Sequence, residues 1–368
     1  MSNFQDKINN NEKGVWRYVD FYDEFIKSEN RLYLEDGNSN VIEIENINKI
    51  CKANNLYFKR EDENETGSLK GRSLAYQVSL AKQNGKKELV ISTSGNAGIA
   101  AAAYCQKAGI KLYIFISPET ENAKISEMQK YNPIIIKSKK SIRLANYLSA
   151  RYKIENLRPS VNDSSIEGFK SIVFEIFEKL GRIDALFTYV TSGSSFVGIG
   201  RAYQYLQEIG EIKKMPKLFA VQSGEISSIA SEFESSLSFS QKERNGSIQS
   251  NNSVNIGAGK LGIKNTRRKN EILEFIKSSK GSGIYINNKD LQKATKLLEK
   301  NNIKTSQEGC ASFTALIKEG KKNNFKKPVC ILSGKLRDDI NQINEEKIKI
   351  AENFDDVDNI IIGKFNCC

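Results

Sequence analysis

Two α/β domains, each an open, mostly parallel twisted sheet flanked by helices, are the fold this sequence predicts. Strand-like and helix-like segments alternate along most of the chain, which is the signature of βαβ units. The strand segments are continuous Val/Ile/Leu/Phe runs rather than polar–apolar alternations, as expected of strands covered on both faces. Loops rich in glycine and small hydroxyl residues follow several of these runs, where open α/β sheets bind ligands. With 368 residues and 39% hydrophobic content, the chain can support two such domains and a sizeable core.

The N-terminal residues are polar, then turn-rich at Glu35-Asp36-Gly37-Asn38, with a helix expected at Glu45–Asn54 and a short strand at Leu56–Arg60. Strands are then expected at Lys87–Ser92, Lys111–Ile116 and Pro133–Lys137, with helices at Ala97–Ala108, Ala123–Lys130 and Ser141–Lys153. Apolar residues at 166, 169, 172, 173, 176 and 180 form one helical face over Ile166–Leu180. A buried strand at Ala185–Val190 leads to a helix at Val197–Ile209, and Leu218–Gln222 and Pro328–Ser333 read as further strands. The Ser/Gln/Asn-rich stretch Ser231–Asn255 reads as a loop insertion, and the last twenty or so residues as a charged tail.

Composition removes whole classes of function. No apolar run approaches the ~20 residues needed to span a bilayer, and the first residues lack the apolar segment of a secretory signal. A cytoplasmic protein is expected, with no membrane partner. Net charge is +12, but Lys and Asn are scattered beside abundant Glu and Asp, with no basic stripe interleaved with aromatics, so no nucleic-acid partner is expected. The six cysteines form no C-x-x-C pair, and Cys51, Cys105, Cys310 and Cys330 lie far apart, so neither a metal site nor a disulfide framework is expected. Cys367-Cys368 reads as an inert pair on the tail. The chain has no histidine. That absence removes the Ser-His-Asp triad, the Cys-His dyad and every imidazole acid or base. A proton shuttle would have to be a Lys, Asp or Glu, or belong to a cofactor.

Against that background Glu65-Thr-Gly-Ser-Leu-Lys-Gly-Arg72 stands out. Lys70 follows a Gly/Ser turn and opens an apolar-periodic helix, near the positive end of the helix dipole, which disfavours its protonated form. A neutral lysine amine can form a Schiff base with an aldehyde. Taken alone, the octapeptide is more often a solvated lysine after a turn. Ser92-Thr-Ser-Gly-Asn-Ala-Gly98 follows a strand and opens an alanine-rich helix, and its amides and hydroxyls suit a carboxylate or phosphate, or simply an N-cap. Thr191-Ser-Gly-Ser-Ser195 likewise follows a strand and offers successive amides to a phosphate, although taken singly it reads as an ordinary polar loop. It has neither dinucleotide-binding glycine spacing nor a P-loop ending.

Together these motifs resemble the pyridoxal-phosphate enzymes of fold type II, the tryptophan-synthase-β type, and among them most resemble the threonine synthases. Gly14-Val-Trp-Arg-Tyr18 is similar to their Gly-x-Trp-Arg-Tyr opening, and Asp36-Gly-Asn38 to their Gly-Glu-Gly-Asn-Thr turn. Tyr57-Phe-Lys-Arg-Glu-Asp62 followed by Glu65–Lys70 is similar to the family's lysine motif. The resemblance implies pyridoxal 5'-phosphate held as a Schiff base on Lys70, which also acts as base. It implies Asn96 on the cofactor's ring oxygen and Thr191, Ser192, Gly193, Ser194 and Ser195 on its phosphate. Ser333, in Ile331-Leu-Ser-Gly334, would face the pyridine nitrogen. Thr93 and Ser94, with Asn96 and Ser160, would hold the substrate. The cofactor would lie in the cleft between a large domain (1–55 plus 179–345) and a smaller one (56–178) carrying Lys70 and the Asn96 loop, with 346–368 as the tail.

The departures bear on the substrate. The family's Asp after the lysine is Gly71 here, and the arginine that grips the substrate phosphate aligns with Ser165, leaving Lys335 or Arg337 to replace part of the lost charge. The resemblance therefore implies a synthase or lyase acting on a β- or γ-substituted amino acid, foremost O-phosphohomoserine to threonine. The alternatives are a β-replacement or β-elimination enzyme on O-phosphoserine- or O-acetylserine-type substrates, and a catalytically silent binding protein of the same fold. A homodimer is expected.

Overall fold

The computed structural model describes residues 4–51, 53, 55–160, 162–223, 228–233, 266, 268–338 and 343–363. In chain order its elements begin with β1 (Val41–Glu43), α1 (Glu45–Cys51), β2 (Tyr57–Arg60), α2 (Lys70–Gln83), β3 (Glu88–Ser92) and α3 (Asn96–Ala108). There follow β4 (Lys111–Ile116), α4 (Asn122–Gln129), β5 (Ile134–Lys137), α5 (Ser141–Tyr152), β6 (Glu155–Asn156) and α6 (Glu167–Leu180). Next come β7 (Ala185–Tyr189), α7 (Ser194–Glu208), β8 (Lys217–Ser223), α8 (Lys269–Ser278), β9 (Ser282–Ile286) and α9 (Asn288–Lys300). The chain continues through α10 (Gln307–Gly320) and β10 (Pro328–Leu332) to β11 (Ile348–Ile350) and α11 (Phe354–Ile362). It divides into two compact units.

The first unit comprises Met1–Gln5, Ser39–Glu63 and Ile172–Leu336. Its six-stranded sheet runs β1-β2-β10-β7-β8-β9, parallel except for the antiparallel edge pair β1–β2. Both faces are covered, which is why its strands read as unbroken apolar runs. Phe187 stacks on Phe219 at 4.3 Å between ring centroids, and Phe325 meets both edge-on. Phe58, Phe313, Leu316 and Leu332 join the same buried cluster.

The second unit comprises Asp6–Asn38, Asn64–Ser171 and Arg337–Cys368. Its five-stranded sheet runs β11-β5-β4-β3-β6 and is parallel throughout. The alanines at 100 to 103 let α3 lie close against its neighbours, and all of them are buried. The expected α/β class and parallel sheets are therefore present, with most expected elements within a few residues of their bounds.

The structure corrects three boundaries. Residues 346–368, expected as a charged tail, contain β11, which pairs in parallel with β5 (Ile348 opposite Ile135). They also contain α11, whose Val357 and Ile361 enter the cluster with Ile136, Leu144 and Leu148. Tyr147 and Tyr152 both donate to Asp358, tying that helix to α5. Residues 364–368, with Cys367-Cys368, lie outside the described residues. Residues 57–60, assigned above to the smaller domain, form β2 between β1 and β10 in the larger sheet. Conversely, 6–38 belong to the second unit, where the fully buried Trp16 stacks on Tyr76 of α2 and donates its indole N–H to the Leu32 carbonyl at 2.7 Å.

The helix expected to reach Asn54 ends at Cys51. Strand β9 and helices α8 to α10 were not anticipated, although Leu291, Ala294 and Leu298 of α9 sit at helical spacing and are buried. Of the Ser231–Asn255 insertion, only 231–233 fall among the described residues. No helix among the described residues is long and apolar enough to cross a membrane.

Candidate active site

In the second unit the chemistry gathers around the start of α2. Asn64 shapes the approach: its Nδ2 donates to the Ser68 carbonyl, its carbonyl accepts from Gly67 N at 2.7 Å, and its Oδ1 accepts from Gly37 N at 2.9 Å. Gly67 turns through φ +75°, a conformation that costs glycine little and other residues more. Lys70 is the first residue of α2; its own N–H is offered the Ser68 hydroxyl at 3.3 Å. Its Nζ lies 5.3 Å from the centre of the Phe169 ring, which supplies an apolar wall and a cation–π face.

Behind the lysine lies a buried carboxyl that the sequence pattern did not place in the site. Asp36 is fully buried; its Oδ1 accepts from the Thr66 hydroxyl at 2.8 Å and its Oδ2 from the Tyr104 phenol at 2.8 Å. A Cβ at Gly71 would overlap that carboxylate. Burial pushes Asp36 up to about 7, against the lowering effect of these hydrogen bonds and of Arg72. The signal available in the sequence was the glycine itself, at a helical position where it costs stability unless a neighbour needs the space.

The loop after β3 carries Thr93, Ser94 and Asn96. Thr93 Oγ1 accepts from Gly95 N at 3.2 Å, and no side chain caps the start of α3. Gly98 leaves the Thr93 methyl and Met128 room that a Cβ would take. The Asn96 amide oxygen is buried and finds no hydrogen-bond partner among the described residues. Strand β6 neighbours β3 in parallel, so the turn bearing Ser160 leaves the same end of the sheet as the Asn96 loop. Ser165 is fully buried in this region; its hydroxyl donates to the Pro159 carbonyl at 3.2 Å and its own carbonyl accepts from Ser73. It points inward and supplies nothing in place of a cation.

The first unit brings the remaining candidates together. Thr191–Ser195 follow β7 and Ser333 follows β10, and these strands are parallel neighbours, so both loops leave the same sheet end. Gly193, at φ +90°, is the residue before α7; a Cβ there would lie 2.5 Å from Ile272 Cδ1 and 2.9 Å from Thr266 Cγ2. The Thr266 hydroxyl donates to the Thr191 carbonyl at 3.1 Å. Gly193, the residue before α7, makes no side-chain cap bond among the described residues, and a helix start of this kind suits an anion. Beyond Ser333, the Gly334 carbonyl accepts from Ser306 N and from the Thr305 hydroxyl, which pins the turn. Lys70, Thr93, Ser94, Asn96 and Ser160 thus share one unit, while Thr191 to Ser195 and Ser333 share the other.

Comparison with known proteins shows the family. Residues 32–334 match the family described as pyridoxal-phosphate dependent enzyme. The threonine synthase of Methanocaldococcus jannaschii is 27% identical over 362 residues, covering 94% of this chain and 86% of that protein. Maize serine racemase superposes with a TM-score of 0.65 at 16% identity, covering 89% of this chain and 92% of that one. The processed form of threonine deaminase isoform 2 from Solanum lycopersicum gives 0.63 at 18%, covering 84% and 85%. At those identities the superpositions speak for the fold.

The residues present fit the cofactor that the family binds. An uncapped helix start after a left-handed glycine suits a phosphate, and the unpartnered amide oxygen of Asn96 leaves that side chain with hydrogen-bonding capacity to spare for a bound group. A lysine at a helix start beside an aromatic wall suits an aldehyde. The cofactor is pyridoxal 5'-phosphate, and the chain belongs to the family of pyridoxal-phosphate dependent enzymes.

Proposed function

We propose that this chain is a synthase or lyase acting on a β- or γ-substituted amino acid, with O-phosphohomoserine as substrate and threonine and phosphate as products. Similarity to a threonine synthase along 94% of the chain carries this reading. When bound, the cofactor supplies an electron sink for charge developing at the substrate's α and β carbons.

The chain's own groups supply binding, orientation and proton handling. Lys70 Nζ would hold the cofactor and then take the proton from the substrate Cα, the role that the resemblance of Glu65–Lys70 to the family's lysine motif implies. Thr93 and Ser94 hold the substrate carboxylate with hydroxyls and nearby amides, with Asn96 and Ser160 as further polar contacts. The amides of Gly193 to Ser195 and the hydroxyls of Thr191, Ser192, Ser194 and Ser195 hold the cofactor phosphate, while the amide of Asn96 meets the ring oxygen. Ser333 presents a neutral hydroxyl to the pyridine nitrogen, which leaves that nitrogen unprotonated. In the overall reaction the γ C–O bond to phosphate breaks, Cβ gives up a proton and Cγ takes one up, and water adds its hydroxyl at Cβ while its other proton leaves with phosphate.

Incubation with O-phosphohomoserine tests this, with phosphate and threonine measured together. Lys70→Ala should abolish turnover and the visible absorption band of the bound cofactor. A purified chain that takes up no pyridoxal phosphate would sink the reading. A second reading is β-replacement or β-elimination on O-phosphoserine- or O-acetylserine-type substrates; Ser165, whose hydroxyl is spent on Pro159, favours its O-acetylserine-type members, whose leaving group carries no phosphate. Turnover of those substrates without turnover of O-phosphohomoserine would move the assignment to it.

A further inference from the structure

Arg337 lies across the turn that leads into Lys70. Its Nη2 donates to the Thr66 carbonyl at 3.3 Å, and the guanidinium fills the space a side chain on Gly67 would need, with Nη2 2.7 Å and Nη1 3.2 Å from that Cβ position. The Nε is buried and makes no hydrogen bond among the described residues. No carboxylate among the described residues forms an ion pair with this arginine; Glu121 and Glu127 act on it only through space, and burial lowers its affinity for a proton. Arg337 is half-buried, and its one long bond to a carbonyl leaves the buried Nε without an acceptor among the described residues. A buried donor left without an acceptor is costly. An oxyanion would complete the arrangement, because guanidinium presents parallel N–H groups to phosphate or carboxylate.

We propose that Arg337 is the specificity-determining residue for the leaving group: its guanidinium holds the phosphoryl group of the substrate beside the Lys70 turn. This rests on the reading of Lys70 as the residue that holds the cofactor. The assignment explains how a chain with an inward-facing serine at 165 retains a cation for an anionic substrate. It also explains why position 67 is a glycine even beyond its backbone angle.

The test uses the cofactor-loaded enzyme and inorganic phosphate as probe. Titration calorimetry should show phosphate binding to the parent and at least ~10-fold weaker binding to Arg337→Gln, with Arg337→Lys between them, because a charge-assisted bidentate contact is lost. With O-phosphohomoserine, KM should rise at least ~10-fold in Arg337→Gln, while kcat/KM for O-acetylhomoserine stays within about twofold. Should Arg337→Gln fail to fold, the parent enzyme still decides: saturating phosphate should slow phenylglyoxal modification of Arg337, followed by mass spectrometry. Unchanged phosphate affinity in a folded variant, equal losses on both substrates, or modification indifferent to phosphate would each overturn the proposal. A chain without the cofactor's absorption band defeats the Lys70 reading instead, so the two failures are distinguishable.

Discussion

Asp36 and Gly71 compete for one volume: the Asp36 carboxylate stands where a Cβ on Gly71 would have to be. The residue that follows Lys70 is therefore bound to a residue far away in sequence. Gly71→Ala should destabilise the protein by roughly 1–3 kcal/mol, the usual cost of overpacking a filled core. Thermal unfolding of Gly71→Ala, Asp36→Ala and the double variant closes a cycle. The double variant should be more stable than the sum of the single losses predicts; strict additivity would show that the two positions do not share space.

The same carboxyl sets a pH dependence. Asp36 moves from 3.8 when free to about 7 in the fold because burial disfavours its charge. Between those values the folded state holds a proton that the unfolded state has lost, so stability falls as pH rises through this window. The contribution is fully present below the lower value and gone above the upper one. Asp36→Asn keeps the neutral shape and should remove this dependence, so its melting temperature should gain on the parent's between pH 5 and pH 7.5. A gap constant across that range would contradict the assignment.

A second glycine lies in the loop proposed to hold the cofactor phosphate. Gly193 combines φ +90° with neighbours that leave no space for a Cβ. Gly193→Ala should lose about 1 kcal/mol or more of stability from backbone strain alone. It should also bind pyridoxal phosphate several-fold more weakly, which titration of the visible absorption band would measure. Normal cofactor affinity in a correctly folded variant would remove this loop from the phosphate site.

Beneath the first unit's sheet, Lys59 is held by Glu175 at 2.5 Å, with Glu61 3.9 Å away and all three buried. Lys59→Met removes the cation from beside two buried carboxylates, of which Glu61 keeps the Ser39 hydroxyl, and should cost about 3–5 kcal/mol, the range for breaking a buried pair from one side. Chemical denaturation with urea would read this directly. Lys59→Met combined with Glu175→Gln should recover part of the loss, since one of the stranded charges is gone.

Much of the candidate site was legible because its signals are local. A lysine at a helix start, a Gly/Ser turn before it and small hydroxyl residues after apolar strands each declare themselves within a few residues. The absence of histidine narrowed the acid–base chemistry further. What stayed hidden were relations between distant segments. The run 346–363 reads as a tail because charged residues interrupt its apolar ones, yet Ile348 of β11 pairs with Ile135, and Val357 and Ile361 complete a core begun more than two hundred residues earlier.

By itself the sequence determined the α/β class and the parallel strands and singled out Lys70 as a candidate, since hydrophobic period and turn chemistry act over a few residues. Only the tertiary structure decided that Tyr57–Arg60 lies between Val41–Glu43 and Pro328–Leu332, that Asp36 fills the gap left at Gly71, and that Arg337 covers the turn before Lys70. Each of these depends on which buried surfaces meet. Strand register and desolvation settle that across the whole chain, where no local spacing can record it.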